Sequence, residues 1–293
     1  MKRCLRCDER FEADAWSCPA CGWAPQWNGN VPLFAPALDH VREGFDPRYF
    51  ENLYRLESGS FWFRSRNKLI LWAIERFFGK AGNMLEIGCG TGFVLAAIEA
   101  ARPGLVLYGS EIHTEGLSLT ARRLQRARLL QMDARNVPYD GEFDLLGAFD
   151  VLEHIEEDES VLREANRALK PGGGLLLTVP QHRFLWSAAD DYTYHKRRYT
   201  RGELVSKVER AGFGVVLCTS FVSLLMPFLL ASRLANRSAA DFDPESEFRI
   251  PAFVNAVFER AMDIERAAIE AGFRLPFGGS LLLAATRRDE GRT

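Results

Sequence analysis

The chain has 293 residues, 47% hydrophobic and 26% charged, with 24 glycines and 13 prolines. That balance excludes collagen-like and disordered chains and leaves ample sequence for a large core, either as one domain with an appendage or as two domains. Lys and Arg total 37 against 39 Asp and Glu, a formal charge of −2, so the chain as a whole lacks the basic excess of a dedicated nucleic-acid binder.

The opening Met1-Lys2-Arg3-Cys4 runs straight into polar residues with no apolar segment, which reads as a cytoplasmic protein. Residues 1–35 are Pro-, Gly- and Trp-rich without a long periodic element. Cys4, Cys7, Cys18 and Cys21 lie there as two C-x2-C pairs separated by ten residues, while Cys89 and Cys218 stand alone. In a reducing compartment such clustering reads as metal ligation. Each pair can form a knuckle, and four thiolates complete a closed, structural tetrahedral site, a zinc ribbon. Zinc is the expected ion, with rubredoxin-like iron the alternative. The module is too small for a core of its own, so the ion supplies its folding energy. Its side-chain charges cancel, and four thiolates with Zn2+ make it net negative, which disfavours phosphate binding. Trp16, Trp23 and Trp27 could stack on bases, but packing on the main domain is the plainer use.

Residues 36–80 read as a helical, strongly aromatic segment (Tyr49, Phe50, Tyr54, Phe61, Trp62, Phe63), with Leu69, Ile70, Ala73 and Phe77 at helical spacing. Beyond residue 80, short apolar runs alternate with helical segments. Strands are expected at 84–88, 106–111, 129–132, 143–149 and 175–179, with helices ending near 101 and spanning 114–126 and 153–169. This alternation implies right-handed crossovers and a parallel sheet. A helix at 201–211 and strands at 215–219 and 281–286 would complete it. The main domain is thus expected over 81–220 and 275–293, with a helical insertion at 221–274. Residues 215–232 carry no charge and approach the length of a membrane span. Gly214, Thr219, Ser220, Ser223 and Pro227 break that run into a strand and an apolar helix at 222–234, buried under a substrate or touching a membrane surface.

The most informative segment is Leu85-Glu86-Ile87-Gly88-Cys89-Gly90-Thr91-Gly92, where a strand feeds a glycine turn that opens a helix. Glu111 ends the next strand, 19 residues after Gly92, where a carboxylate can accept hydrogen bonds from both ribose hydroxyls. A dinucleotide-binding domain is the rival, yet the third glycine of G-x-G-x-x-G is replaced by Phe93. LEIGCGTG, Glu111, Met132-Asp133-Ala134, Phe149-Asp150-Val151-Leu152-Glu153-His154-Ile155 and Leu169-Lys170-Pro171-Gly172-Gly173-Gly174 occur in order over about residues 80–220. Together they resemble the class I S-adenosylmethionine-dependent methyltransferases. The resemblance implies an α/β, Rossmann-like seven-stranded sheet with helices on both faces. It places Glu86, Gly88, Cys89, Gly90 and Gly92 against the methionine part of S-adenosylmethionine and Glu111 on the ribose, with Ile112 also at the cofactor. It sets Asp133 and Ala134 at the adenine edge, and Phe149 and Asp150 beside the sulfonium. The aromatic segment would fold over the cofactor as a lid, with Arg66 meeting the methionine carboxylate.

Groups that could handle the acceptor follow strands four and five: His154, then His182, Asp191 and His195. Their alternatives are structural: orienting a loop, or holding the lid through hydrogen bonds. The run from Trp186 to Leu204 resembles a pattern in bacterial methyltransferases acting on sugars, quinones and lipid-linked precursors. The expected activity is O- or N-methylation of a small-molecule or lipid-linked acceptor, with peripheral membrane contact through residues 222–234 as a further expectation. Nucleic acid is the less favoured partner: RNA methylation guided by the zinc ribbon is the rival reading. A ribbon that docks a protein partner is compatible with either.

Overall fold

The computed structural model describes residues 1–39, 46–235 and 250–288. In chain order the N-terminal module carries β1 (Lys2–Arg3), β2 (Arg10–Phe11), β3 (Gln26–Asn28) and β4 (Val31–Leu33). Helices α1 (Phe50–Leu56) and α2 (Phe61–Phe78) precede the alternating region: β5 (Asn83–Ile87), α3 (Phe93–Ala101), β6 (Val106–Glu111), α4 (Thr114–Arg123), β7 (Arg128–Gln131), β8 (Phe143–Phe149), α5 (Asp158–Ala168) and β9 (Leu169–Pro180). Then come α6 (Ala188–Tyr192), α7 (Arg201–Arg210), β10 (Phe213–Phe221), α8 (Met226–Ala235), α9 (Ala252–Glu270) and β11 (Ser280–Arg287).

Nine strands form one sheet in the order β10-β11-β9-β8-β5-β6-β7-β4-β3, so the expected seven-stranded sheet is corrected to nine. The two additions come from the N-terminal module, whose β3–β4 hairpin docks in parallel on β7 through Leu33 and Gln131. An unpaired edge at β7 would expose a row of backbone donors and acceptors, and the hairpin covers it. The sheet is not wholly parallel either: β11 runs antiparallel between β9 and β10. Strand order reverses between β5 and β8, which opens a crevice at their carboxyl ends.

Side-chain alternation builds two cores. Met84, Leu107, Leu145, Leu176 and Leu282 face α2, α3 and α4, while Leu85, Ile87, Leu146, Leu175 and Leu281 face α5 and α7. The second core also takes in Phe11, Trp16 and Phe34 of the N-terminal module, which pack on Tyr108 and Tyr139. Trp16 is buried with edge contacts to Phe34 and Tyr139, whereas Trp27 is exposed.

Several boundaries differ from the sequence reading. The helix expected at 153–169 starts at Asp158, after a tight turn over Leu152–His154. The strand expected at 175–179 begins at Leu169 and incorporates Pro171 to Gly174 through a register shift opposite β8. Of the insertion expected at 221–274, α8 and α9 lie within the described residues and 236–249 lie outside them. No described helix is long and apolar enough to cross a membrane.

Candidate active site

The turn after β5 holds Gly88, Gly90 and Gly92 at φ of +66°, +54° and +75°. A Cβ at Gly88 would stand 2.5 Å from Val151 Cγ2, and one at Gly92 2.8 Å from Thr120 Cγ2. Both the left-handed backbone and the close approach therefore require glycine. The loop is tied down by Cys89 N–H donating to the Ser110 carbonyl (2.9 Å) and by Thr120 Oγ1 donating to the Gly90 carbonyl (2.9 Å).

Glu111, at the end of β6, accepts from Gly90 N (3.1 Å), Ile112 N (2.8 Å) and His113 N (3.3 Å), which fixes its carboxylate across the loop. On the far side Gln131 bridges Ala35 and the Ile112 carbonyl. Asp39 accepts from Thr114 N and Oγ1, and its carbonyl meets His113 Nδ1. The stretch leaving the N-terminal module is thus bonded directly to the turn after Glu111. Asp133 accepts from the Arg135 backbone and guanidinium, and it lines the same cavity with Ala134.

Three acids crowd the glycine turn. Glu86 is fully buried with one carboxylate oxygen lacking any partner among the described residues, and burial pushes its carboxyl well above the usual range against the Arg66 charge. Burial also raises Glu111 and Glu57; for Glu57, Thr91 and Arg123 oppose the rise without cancelling it. An uncompensated buried carboxylate is costly, so this cradle favours a cationic ligand. S-adenosylmethionine, with a sulfonium and an ammonium group and no phosphate, fits that demand. Arg66 lies across the cavity on the Trp62 ring (4.6 Å) and pairs with Asp150, which β8 presents at φ +57°. Thr178 Oγ1 donates to the same Asp150 oxygen (3.1 Å).

The opposite wall comes from two loops. Glu153 and His154 follow β8, and the segment after β9 brings back His195, with Lys196 N–H donating to the Glu153 carbonyl (2.7 Å). The returning segment is anchored where Tyr199 OH donates to Asp158 (2.7 Å). His195 Nδ1 lies 2.8 Å from Asp190 Oδ1, which leaves Nε2 facing Glu153 Oε1 at 4.0 Å. Arg198 grips both Asp190 oxygens at 2.7 and 3.0 Å. Burial alone would raise the Asp190 carboxyl, but the bond from His195 and the Arg198 charge hold it well below the carboxylate range. Glu153 shows the opposite balance: burial, then the Asp150 charge, push it well up.

Asp191, expected among the groups that handle the acceptor, instead accepts from Trp186 Nε1 (2.9 Å); the carboxylate on His195 is Asp190. His182 sits at φ +63° in a three-ring cluster with Phe184 (5.0 Å) and Phe277 (4.5 Å), away from the cavity, and burial and Arg198 push its pKa down. Sequence reasoning overlooked the role of Asp190, although Ser187-x-x-Asp190 forms a capping box that marks which of the two neighbouring acids points inward. It also missed Glu57, which accepts from Thr91 Oγ1 and pairs with Arg123 (2.6 Å) beneath the glycine turn.

One cavity of about 1100 Å3 joins both walls. It exceeds the range of about 300–1,000 Å3 usual for a single ligand, which leaves room for a cofactor and an acceptor together. Its roof is apolar, made by Leu225 just before α8, Phe228 and Leu229 of α8, and Val254 and Phe258 of α9. The roof is fastened to α2 by Arg64–Glu259 (2.7 Å) and Lys68–Asp263 (2.9 Å), and by Asn255 accepting from Phe61 N (2.8 Å).

The four N-terminal cysteines converge as their spacing requires. Cys4–Cys21 and Cys7–Cys18 sulfurs are each 3.6 Å apart, and all four lie within 4.8 Å of one another. Zinc–sulfur bonds of about 2.3 Å in a tetrahedron set sulfurs about 3.8 Å apart, so the donors fit zinc in a closed site.

Residues 85–177 match the family model described as a methyltransferase domain. A norajmaline N-methyltransferase from Rauvolfia serpentina is 32% identical over 119 residues, 38% of this chain and 40% of that protein. A ubiquinone biosynthesis O-methyltransferase from Acinetobacter baumannii is 26% identical over 116 residues, 37% of this chain and 48% of its own length. The chain therefore spans less than half the length of these two relatives. In fold, it is similar to a Haemonchus contortus phosphoethanolamine N-methyltransferase 2 bound to S-adenosyl-L-methionine (TM-score 0.57, 18% identity, 90% of this chain and 62% of that one). It is also similar to a chain of the complex between the Haloferax volcanii Trm112 methyltransferase activator and a methyltransferase (TM-score 0.55, 17% identity, 86% of this chain and 100% of that one). With the glycine cradle, Glu111 and the strand order, these matches show a methyltransferase domain on the class I methyltransferase fold, with a four-cysteine cluster ahead of it.

Proposed function

We propose that the protein methylates an oxygen or nitrogen of a small-molecule or lipid-linked acceptor, using S-adenosylmethionine. The observation that carries this reading is the single cavity running from Glu111 to the Glu153–His154–His195 wall beneath an apolar roof. When bound, S-adenosylmethionine supplies an electrophilic methyl group on a sulfonium. The cradle of Gly88, Gly90 and Gly92 would hold its methionine part, Glu111 its ribose, and Asp133 with Ala134 its adenine edge. Asp150, braced by Arg66 and Thr178, borders the site between the two walls. The acceptor's polar end would meet His154 and His195, and its apolar body would lie against Phe228, Leu229 and Phe258. Asp190 keeps the His195 imidazole in one orientation, with Nε2 turned to the cavity. The Cys4 cluster would hold zinc as a structural ion.

An RNA substrate is less favoured, because Trp16 is buried in the main core and Trp23 is half-buried, which leaves Trp27 as the one exposed ring of the three. The ribbon as a docking site for a protein partner remains compatible with this reading, with Trp27 exposed at its surface.

The test incubates purified protein and methyl-labelled S-adenosylmethionine with a lysate split into RNA, protein, lipid and polar fractions. Label in the lipid or polar fraction, lost in Glu111→Ala, is expected. Label in RNA would overturn the acceptor assignment.

A further inference from the structure

We propose that Glu153, His154 and His195 form a binding site for a divalent metal ion in the acceptor half of the cavity, separate from the four-cysteine cluster. The inference rests on the methyltransferase reading only for the identity of the neighbouring ligand. One carboxylate oxygen and one nitrogen from each imidazole come within 4.8 Å of one another, and all three residues line the cavity. Glu153 is the independent sign. It is 1% exposed, and neither carboxylate oxygen has a hydrogen-bond partner from another described residue; the nearest cation donor is His195 Nε2 at 4.0 Å. Buried carboxylates are ordinarily paired or metal-bound, because desolvation without a partner costs several kcal/mol.

The surroundings are those of a metal ligand. A ligating histidine almost always gives its other ring nitrogen to a carboxylate, which fixes the tautomer. His195 does this through Nδ1 to Asp190 (2.8 Å), and Asp190 is itself held by both arms of Arg198. Donors around an ion with bonds of about 2.1 Å stand about 3.0–3.4 Å apart, so His195 and Glu153 need to close by under about 1 Å. The three donors together, within 4.8 Å of one another, would draw in by up to about 2 Å. Three protein ligands leave coordination positions open toward the cavity, unlike the closed cysteine site. Two imidazoles and a carboxylate suit manganese, ferrous iron or zinc. An acceptor presenting an oxygen that such an ion can hold as its anion would then be favoured over one presenting an amine.

The test uses full-length protein with its cysteine cluster loaded with zinc and all other metal removed. Manganese(II) is titrated in while electron paramagnetic resonance follows the free hexaaqua signal, with and without S-adenosylhomocysteine. One manganese per chain is expected to bind. Affinity should fall at least about tenfold in Glu153→Gln and in His195→Ala, and it should be unchanged in Asp191→Asn, whose side chain lies outside the cavity. Calorimetric binding of S-adenosylhomocysteine is measured on the same samples, and melting curves establish that each variant is folded. Undiminished free manganese signal, or equal binding by wild type and a folded Glu153→Gln, overturns the metal site. If S-adenosylhomocysteine still binds in that case, the methyltransferase reading stands; if it binds to no sample, that reading fails first.

Discussion

With zinc in the four-cysteine cluster as proposed, stripping it is expected to weaken cofactor binding, although none of the four cysteines lines the cavity. The coupling is built from hydrogen bonds. The segment leaving the cluster joins the sheet at Leu33–Gln131, then bonds through Ala35 to Gln131, whose amide also holds the Ile112 carbonyl. Asp39 completes the link, with Thr114 N at 2.6 Å, Thr114 Oγ1 at 2.8 Å and His113 Nδ1 at 2.7 Å. Those last three bonds fix the turn after Glu111. At about 0.5–1.5 kcal/mol net each, they hold that turn with about 2–4 kcal/mol. If a third to a half of that order must be restored when the cofactor binds, affinity falls by about 1–2 kcal/mol, or about 5- to 30-fold. The assay is calorimetric titration of S-adenosylhomocysteine into zinc-loaded and chelator-stripped protein. Limited proteolysis reports whether residues 1–35 have opened, and a retained main-domain melting transition shows that the rest is folded. Asp39→Ala should reproduce the loss with every cysteine intact. Stripped protein that is cleaved within residues 1–35 yet binds with unchanged affinity would refute the coupling.

Replacing Glu111 by Ala removes the acceptor of three backbone donors and the expected ribose partner, so S-adenosylhomocysteine should bind at least about tenfold more weakly by calorimetry. Gly88→Ala, forced to φ +66° with its Cβ 2.5 Å from Val151, should lose about 1–3 kcal/mol of stability in a denaturant melt. Gly104→Ala, with nothing within 4 Å, is the matched control, and equal losses would discard the close-packing argument. Asp190→Asn should lower kcat about 10- to 100-fold with little change in the KM for S-adenosylmethionine, while Asp191→Asn stays near wild type; the reverse order would place the wrong carboxylate at His195. Glu259 is held down to about 2, first by its hydrogen bond from Arg64 and then by Lys68. A carboxyl lowered on folding stabilises above its unfolded pKa of about 4.3, and that contribution disappears as pH falls through the folded value. The melting temperature of wild type should therefore exceed that of Glu259→Gln most above about pH 5, with the gap closing toward pH 2; a gap independent of pH would remove the α2–α9 clamp from the stability of the roof.

The cofactor half of the cavity was legible in the sequence because its determinants are local. A positive-φ turn needs glycine at fixed positions, a strand-ending acid sits one βαβ unit downstream, and period-two alternation assigns Leu85 and Met84 to opposite faces. The β3–β4 hairpin was not legible, since two three-residue strands, one of them carrying Pro32, have no period to read, and their place is set by the free edge of β7. The acceptor wall escaped for a different reason. Its geometry depends on how two loops meet: the Glu153 carbonyl receives Lys196 N–H, and Asp190 is turned inward by its capping box on Ser187 and held there by His195 and Arg198.

Residues 190 and 191 are chemically identical in the sequence, and one α-helical step of about 100° separates a carboxylate that orients His195 from one that caps Trp186. The same dependence explains why Glu153 reads as an ordinary helix-start acid until both walls are assembled around it. Only after Arg66 has been taken by Asp150, and Arg198 by Asp190, does Glu153 stand buried without an arginine or lysine partner among the described residues. The two arginines neutralise the flanking carboxylates and leave the central one uncompensated. On the proposed reading the acceptor meets this pairing pattern, and exchanging a charge at Asp150 or Asp190 should redirect Arg66 or Arg198 toward Glu153 and close the wall to its ligand.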